Sequence, residues 1–89
     1  MGIDAGEQRG SIKIFPNPLS TQTVLQAENG LMNASITIYN CLGQTVKEMK
    51  NISGHSIILY RDNLPGGIYF LHLTQENKTI LTSKLFISN

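Results

Sequence analysis

The sequence predicts an all-β sandwich or barrel. From Ser11 onward, apolar and polar residues alternate with a period of two, and turn residues interrupt the alternation at short intervals. No stretch shows the period of about 3.6 residues that is typical of an amphipathic helix. The chain has 89 residues, 15% of them charged and 40% hydrophobic, which is the composition of one small globular domain.

Seven strands are expected, and four of them precede residue 50. These four are SIKIF (11–15), QTVLQAE (22–28), ASITIYN (34–40) and QTVKEM (44–49). The pair Asn29-Gly30 tolerates the positive φ of a tight turn, so we expect it to end the second strand. The third and fourth strands are expected to form a hairpin through Gly43.

The other three strands follow two connecting segments. They are SIILY (56–60), IYFLHLTQ (68–75) and TILTSKLFIS (79–88). Residues 51–55 are expected to form a loop. Residues 61–67 give the strongest turn signal of the chain, because Pro65 fixes φ while the two following glycines allow left-handed angles. Both sides of the strand at 68–75 are apolar at its start, which predicts a central strand.

Two prolines separated by one asparagine follow the first strand. Because proline cannot donate to a sheet ladder, Pro16 and Pro18 are expected to stop the pairing begun by residues 12–15. They are also expected to hold the chain extended while it crosses to a neighbouring sheet, with Asn17 restricted by the proline that follows it. On physical grounds alone, this motif predicts a strand stop.

The sequence lacks a pattern for catalysis or metal binding. His55 is expected in a turn and His72 within a strand, and neither belongs to an HxH, HExxH or CxxC motif. The lone Cys41 cannot form an intrachain disulfide, and we expect it to be an inert, small hydrophobic residue at a strand end. These residues predict no catalytic group, no metal and no cofactor.

The net charge and the first ten residues indicate which partners and which kind of N-terminal segment to expect. Seven Lys and Arg stand against six Asp and Glu, which gives a formal charge of +1 and indicates neither nucleic acid nor an anionic membrane as a partner. The start MGIDAGEQRG lacks the apolar core of a signal peptide. Residues 1–10 are expected to be a linker or a cloning remnant, with the domain at 11–89, and the chain to be a piece of a longer protein.

Four segments carry a resemblance to a known family. IFPNPLS, ITIYNCLGQTVKE, LPGGIYFLHL and KLFI occur in the order and at the spacing seen in C-terminal sorting domains of the type IX secretion system. The resemblance is to the type A class, in the Por secretion system family. It runs from about Ser11 to Ile87, which is nearly the whole predicted domain.

The resemblance implies an immunoglobulin-like antiparallel β-sandwich of about seven strands. It also implies a non-catalytic signal that addresses an N-terminally fused cargo, after transit through the periplasm, to an outer-membrane translocon and its shuttle proteins in certain Gram-negative bacteria. The cargo is then expected at the cell surface or secreted, with a sortase-like cysteine peptidase removing the domain. By position, the family's motifs fall on Pro16, Asn17, Pro18, Gly43, Gln44, Gly67, Tyr69 and Lys84.

Other interpretations stay open beside this one. An adhesin or carbohydrate-binding sandwich would expose several aromatics in a row, whereas most of the six aromatics here lie in strand contexts that favour the core. A small enzyme would need the catalytic pattern that is missing. Lys84 could be read by a translocon component or could protect an edge strand from aggregation. The sequence does not decide whether the domain forms a homodimer.

Overall fold

The computed structural model describes residues 11–88 and shows five antiparallel strands. The strands are β1 (Ile12–Phe15), β2 (Gln22–Tyr39), β3 (Thr45–Tyr60), β4 (Gly67–Gln75) and β5 (Lys78–Ile87). The all-β class is confirmed. The predicted linker, residues 1–10, lies outside the described residues, as does Asn89. Within the described part of the chain, no helix is long and apolar enough to cross a bilayer.

The predicted number of seven strands is wrong, because two pairs of predicted strands are continuous. The second and third predicted strands both belong to β2, and the fourth and fifth both belong to β3. The expected turn at Asn29-Gly30 and the expected loop at 51–55 therefore lie inside strands.

Bulges explain this difference. The backbone has positive φ at Gly30 (79°), Asn33 (51°), Asn51 (59°) and Gly54 (122°), and the pairing of β2 with β3 shifts register along this stretch. A bulge uses the same residue types as a tight turn, but it bends the strand and does not reverse it.

The longest strand, β2, organises the sheet. β3 pairs with β2 along nearly its whole length, while β1 pairs with the first part of β2 and β4 with its last part. β5 pairs with β4. The predicted central position of β4 is confirmed, since it lies between β2 and β5. The predicted hairpin through Gly43 is also confirmed, because Tyr39 pairs with Thr45.

Inward-facing residues from both ends of the sheet form one hydrophobic core. The cluster joins Leu25 of β2, near β1, with Leu71 and Leu73 of β4, and these three side chains are fully buried. Burial of each such side chain stabilises the fold by roughly 1.5–3 kcal/mol. The two ends of the sheet thus face a common interior, but they share β2 and β3 and are not separate sheets.

The chain crosses from β1 to the edge of β5 through residues 16–19. β1 ends at Phe15, which confirms the strand stop at the prolines. Residues 16–18 bend, so the predicted extended conformation is wrong; both X-Pro peptide bonds are cis. The bend brings Leu19 into the core, where it forms a parallel bridge with Ile87. The chain thus crosses from β1 to β5, but both strands belong to the same sheet, so the predicted crossing to a neighbouring sheet is wrong.

Candidate functional site

The segment from Pro16 to Leu19, called the strap below, lies along the outer edge of β5. The side-chain amide of Asn17 takes the place of a peptide group in the ladder. Its Nδ2 donates to the Lys84 carbonyl at 3.0 Å, and its Oδ1 accepts from the Phe86 N–H at 2.9 Å. One amide therefore satisfies both a donor and an acceptor of an edge strand.

Leu19 continues this pairing toward the end of β5. Its N–H donates to the Phe86 carbonyl at 2.9 Å, and its carbonyl accepts from the Ser88 N–H at 2.8 Å. The Ser88 hydroxyl donates to the same Leu19 carbonyl at 3.1 Å. The strap thus covers the edge of β5 from Lys84 to Ser88.

A buried threonine fixes the start of the strap. Thr23 of β2 is 0% exposed, and its Oγ1 donates to the Pro16 carbonyl at 2.7 Å. A buried hydroxyl without a partner is costly, so this bond holds Pro16 at one position against β2.

Arg61 ties together three segments that meet at this end of the molecule. Its Nε donates to the Leu64 carbonyl at 2.8 Å, in the connection between β3 and β4. Its Nη1 donates to the Ser20 carbonyl at 3.0 Å and to the Ser88 carbonyl at 2.8 Å. The rigid, multiply donating guanidinium suits such a junction better than an ammonium does.

The sequence interpretation missed Arg61, because it treated residues 61–67 only as a turn. No local pattern indicates its role. The neighbouring carboxylate in the sequence, Asp62, forms an ion pair with Lys47, and the Arg61 guanidinium bonds to backbone carbonyls.

Two of the predicted site residues lie on β4, opposite the end of β5. Gly67 pairs with Ile87 and Tyr69 pairs with Leu85. Tyr69 is buried, and its hydroxyl donates to the Pro65 carbonyl at 2.6 Å, which anchors the preceding turn to the sheet. Gly67 has a φ of 153°, a conformation that side chains other than glycine rarely adopt.

Two further predicted residues lie in the turn between β2 and β3. The Asn40 Oδ1 accepts from the N–H groups of Leu42 at 2.9 Å and Gln44 at 3.0 Å, and its Nδ2 donates to Gln44 Oε1 at 2.9 Å. Gly43 supplies the positive φ of this turn, 83°. Asn40, which was not among the predicted residues, therefore organises the LGQ motif.

Cys41 connects this turn with β4. Its Sγ donates to the Ile68 carbonyl at 3.2 Å. The expectation that Cys41 is a small hydrophobic residue at a strand end is wrong, because the residue is exposed and lies in the turn.

Lys84 projects from the outward face of β5, directly opposite Phe70 of β4. Its side chain is exposed and makes no hydrogen bond or ion pair with another residue of the described range. The period of two predicted from the sequence holds here, since Lys84 and Phe86 face outward while Leu85 and Ile87 are buried.

The structure brings most of the predicted residues to one end of the sheet. The strap and Lys84 touch through the Asn17 amide, and Gly67 and Tyr69 pair with the same stretch of β5. Gly43 and Gln44 lie apart from the strap, in the turn that reaches β4 through Cys41.

Across residues 11–88, no three His, Cys, Asp or Glu side chains lie together as metal ligands would. His72 lies in β4, as expected, with its ring edge-on to Tyr39 at 6.0 Å. His55 lies in β3, so its predicted position in a turn is wrong. Its Nδ1 lies 3.2 Å from the Ala27 carbonyl.

The aromatics are less buried than expected. Tyr69 is buried, but four aromatics are exposed, namely Phe15, Tyr60, Phe70 and Phe86. The exposed ones divide between two regions. Phe15 on β1 and Tyr60 on β3 flank the first part of β2, while Phe70 and Phe86 lie on β4 and β5. They do not form one continuous row.

The Glu28 carboxylate is hydrogen-bonded to the residue that precedes β1. Glu28 Oε1 accepts from the Ser11 N–H at 3.0 Å and from the Ser11 hydroxyl at 3.1 Å. These hydrogen bonds, the backbone one first, hold the pKa of Glu28 below its ordinary value.

Comparisons with known proteins identify the family of this chain. The model of the secretion system C-terminal sorting domain family matches residues 13–88. The chain is also 29% identical over 68 residues to beta-agarase A of Zobellia galactanivorans, a match that covers 76% of this chain and 12% of that protein. The strap, the turns and the end of β5 all lie within the family match. The chain therefore belongs to the secretion system C-terminal sorting domain family.

Proposed function

We propose that this chain is a sorting signal that directs a fused cargo protein to the type IX translocon for export across the outer membrane. The observation that supports this most is the family match over residues 13–88. The signal occupies residues 11–89, and residues 1–10 serve as the linker. The cargo passes through the periplasm and ends at the cell surface or in the medium. The domain itself catalyses no reaction.

Seven of the eight predicted residues are exposed, and four of these have side chains that bond to no strand and that a translocon or shuttle protein can contact. Pro16, Pro18, Gln44 and Lys84 are all exposed. Because the strap is bonded to β5 beside Lys84, the two prolines and the ammonium group lie on neighbouring segments of one surface. We assign direct recognition to these four side chains.

The other members of the set shape that surface. The Asn17 side-chain amide is hydrogen-bonded to β5, and the Tyr69 hydroxyl donates to the Pro65 carbonyl. Gly43 and Gly67 provide backbone conformations with positive φ. Changes at these positions are expected to reduce secretion by destabilising the fold. Changes at the two prolines, Gln44 and Lys84 are expected to reduce secretion while the domain stays folded.

A sortase-like cysteine peptidase removes the domain after export in this proposal. Family membership supports this step. Cleavage before β1 would release the cargo and leave the five described strands uncut.

The binding-module alternative rests on the exposed aromatics. Phe15 and Tyr60 lie in one region of the sheet, and Phe70 and Phe86 in another, so neither region offers three aromatics in a row. Stacking platforms for sugars need a continuous aromatic surface. Retardation of the domain in polysaccharide affinity gels would favour this alternative.

The test uses the full chain fused to the C-terminus of a monomeric reporter with a Sec signal, expressed in a bacterium with a type IX system. Reporter is measured in periplasm, at the surface and in the medium. Lys84→Gln is expected to leave reporter in the periplasm, while Lys50→Gln, an exposed lysine on β3, leaves export unchanged. Deleting residues 83–89 removes the end of β5 and is expected to abolish export.

Thermal unfolding of each purified variant accompanies the export assay. An exposed Lys→Gln change alters stability by no more than about 0.5 kcal/mol. Export of the wild-type fusion in a strain without the translocon would overturn the proposed function. Export of Lys84→Gln at the wild-type rate would remove Lys84 from the recognised surface and leave it a role in protecting the edge strand.

A further inference from the structure

The outer edge of β3 carries backbone groups that pair with no strand of residues 11–88. Among the described residues, β3 pairs with β2 on one side only. At the end of β3, the Arg61 N–H donates to the Thr21 carbonyl at 2.9 Å. Backbone groups of successive residues in a strand point in opposite directions. The N–H and C=O groups of Ser56, Ile58 and Tyr60 therefore point away from β2.

A second bond supports the same alternation from the other side of β2. The Glu28 N–H donates to the Ser11 carbonyl at 2.9 Å, so even-numbered residues in this part of β2 bond to β1 and odd-numbered ones bond to β3. Val24 therefore bonds to β1. Ile58, which lies opposite Val24 on β3, forms a non-hydrogen-bonded pair with it. The N–H and C=O groups of Ile58 therefore point to the open edge.

This part of the edge lacks the devices that usually block strand pairing. Between Lys50 and Arg61 the sequence contains no Asp, Glu, Lys, Arg or Pro. Natural sheets place charges, prolines or a covering segment at exposed edges. The strap covers the edge of β5 in this way, whereas no described segment covers residues 56–60.

An exposed apolar row leads to the same edge. Phe15 pairs with Val24, and Val24 pairs with Ile58, so three outward-facing side chains cross β1, β2 and β3. Phe15 is 47% exposed and Ile58 is 44% exposed. The outer face of an antiparallel sheet is ordinarily polar. The row ends at the open edge, where a matching row can continue it.

We propose that residues 56–60 of β3 pair in an antiparallel, two-fold symmetric manner with the same residues of a second copy of this chain. Ile58 lies opposite Ile58 of the second copy, and Ser56 lies opposite Tyr60. The sheet then continues as β1-β2-β3-β3-β2-β1 across the two copies. The apolar row becomes continuous, and no like charges face each other within it.

The register follows from the length of the uncharged edge. The outward side chains of the two β3 strands share one face of the joined sheet only when the two-fold axis shifts along β3 by a whole number of residues. A shift toward the start of β3 brings in Gly54, whose φ of 122° is not extended, and a shift toward its end brings in Arg61, beyond the strand. Centring on Ile58 pairs all five residues of 56–60.

The first test measures the self-association of the full chain by sedimentation equilibrium, with Cys41→Ser as the background. Ile58→Lys places two ammonium groups at the two-fold axis, so the dimer dissociation constant is expected to rise at least about tenfold. Ile68→Lys is the matched control, because Ile68 is 42% exposed against 44% for Ile58 and lies on β4. It is expected to leave the dissociation constant unchanged.

The second test does not depend on how well Ile58→Lys folds. In the same background, Ile58→Cys is treated with a short homobifunctional maleimide, with Ser56→Cys and Ile68→Cys beside it. Only position 58 faces its own copy, so Ile58→Cys alone is expected to form a cross-linked dimer. A wild-type chain that stays monomeric at all concentrations overturns the proposal. So does a dimer that Ile58→Lys leaves intact, or one that Ile58→Cys fails to cross-link.

Discussion

Replacement of Arg61 tests whether one side chain holds the end of β5 in place. Arg61→Met keeps an unbranched apolar stem and removes the bonds to the carbonyls of Leu64, Ser20 and Ser88. Hydrogen bonds of a charged donor contribute about 1.5–3 kcal/mol each. Arg61 is half-buried, so water replaces part of that contribution, and the three bonds are not additive. We expect a loss of about 2–3 kcal/mol.

The assay combines thermal unfolding with hydrogen exchange. In a domain of this size, 1 kcal/mol shifts Tm by about 4–8 °C, so Arg61→Met should lower Tm by roughly 8–24 °C. The loss should also be local. The Leu19 and Ser88 amides, which join the strap to β5, should exchange faster relative to the Leu25 amide in β2 than they do in the wild type.

Arg61→Lys is the control for charge. A single ammonium cannot reach carbonyls in three segments, so we expect Arg61→Lys to recover at most a minority of the lost stability. Equal stability of Arg61→Lys and the wild type would show that charge alone matters. An unchanged Tm in Arg61→Met, or a uniform loss of protection over the whole sheet, would refute the role assigned to Arg61.

Three further predictions concern the strap, a turn glycine and the start of β1. Asn17→Ala removes both side-chain bonds to β5 and should cost about 1–2 kcal/mol in urea unfolding, whereas Asn63→Ala in the exposed turn should cost less than about 0.5 kcal/mol. Gly67→Val meets no atom within 4 Å, so its expected cost of about 1–2 kcal/mol comes from backbone strain at φ 153°, and an unchanged Tm would contradict it. The pKa of Glu28, followed by NMR, should lie below its ordinary value, and Ser11→Ala should raise it only in part because the backbone bond remains. Since the folded state lowers this pKa, its contribution to stability is present at neutral pH and is lost as the pH falls through the folded-state pKa; an ordinary pKa in the wild type would contradict the bond to Ser11.

The alternation of side chains along single strands could be predicted from the sequence. Tyr69, Leu71 and Leu73 are buried on β4, while Ile68 and Phe70 face outward, as a period of two requires. The turns after β2 and β4 were also predictable, because the residues there, such as Gly43 and Asn77, favour positive φ.

The continuity of β2 and β3 could not be predicted in the same way. Gly30 and Asn51 have the positive φ that a tight turn would require, so local preference is equal for a turn and for a bulge. The outcome depends on the partner strand. The irregular stretches of β2 and β3 pair with each other, Leu31 with Gly54 and Ala34 with Ile52, so both strands bend together without leaving the ladder.

The contacts of the candidate site could not be predicted from the sequence for a related reason. Asn17 and Lys84 are separated by 67 positions, and Arg61 and Ser88 by 27. No local pattern indicates which carbonyl a distant side chain will meet. The family resemblance placed Asn17 and Lys84 in one set of motif residues without indicating that they touch. It did not include Arg61, whose role depends on three backbone carbonyls and on no particular side chain.

The choice of asparagine between the two prolines follows from the chemistry of the edge that it covers. The Lys84 carbonyl needs a donor and the Phe86 N–H needs an acceptor, and a primary amide supplies both from one side chain. Aspartate would supply only acceptors and would turn an oxygen toward the Lys84 carbonyl, while serine is too short to span both groups. The prolines on either side carry no N–H, so they leave no further donors to satisfy at this bend. The motif therefore ends one strand and completes the edge of another. A protein that binds the exposed prolines would bind them in this position only when β5 is folded against the strap.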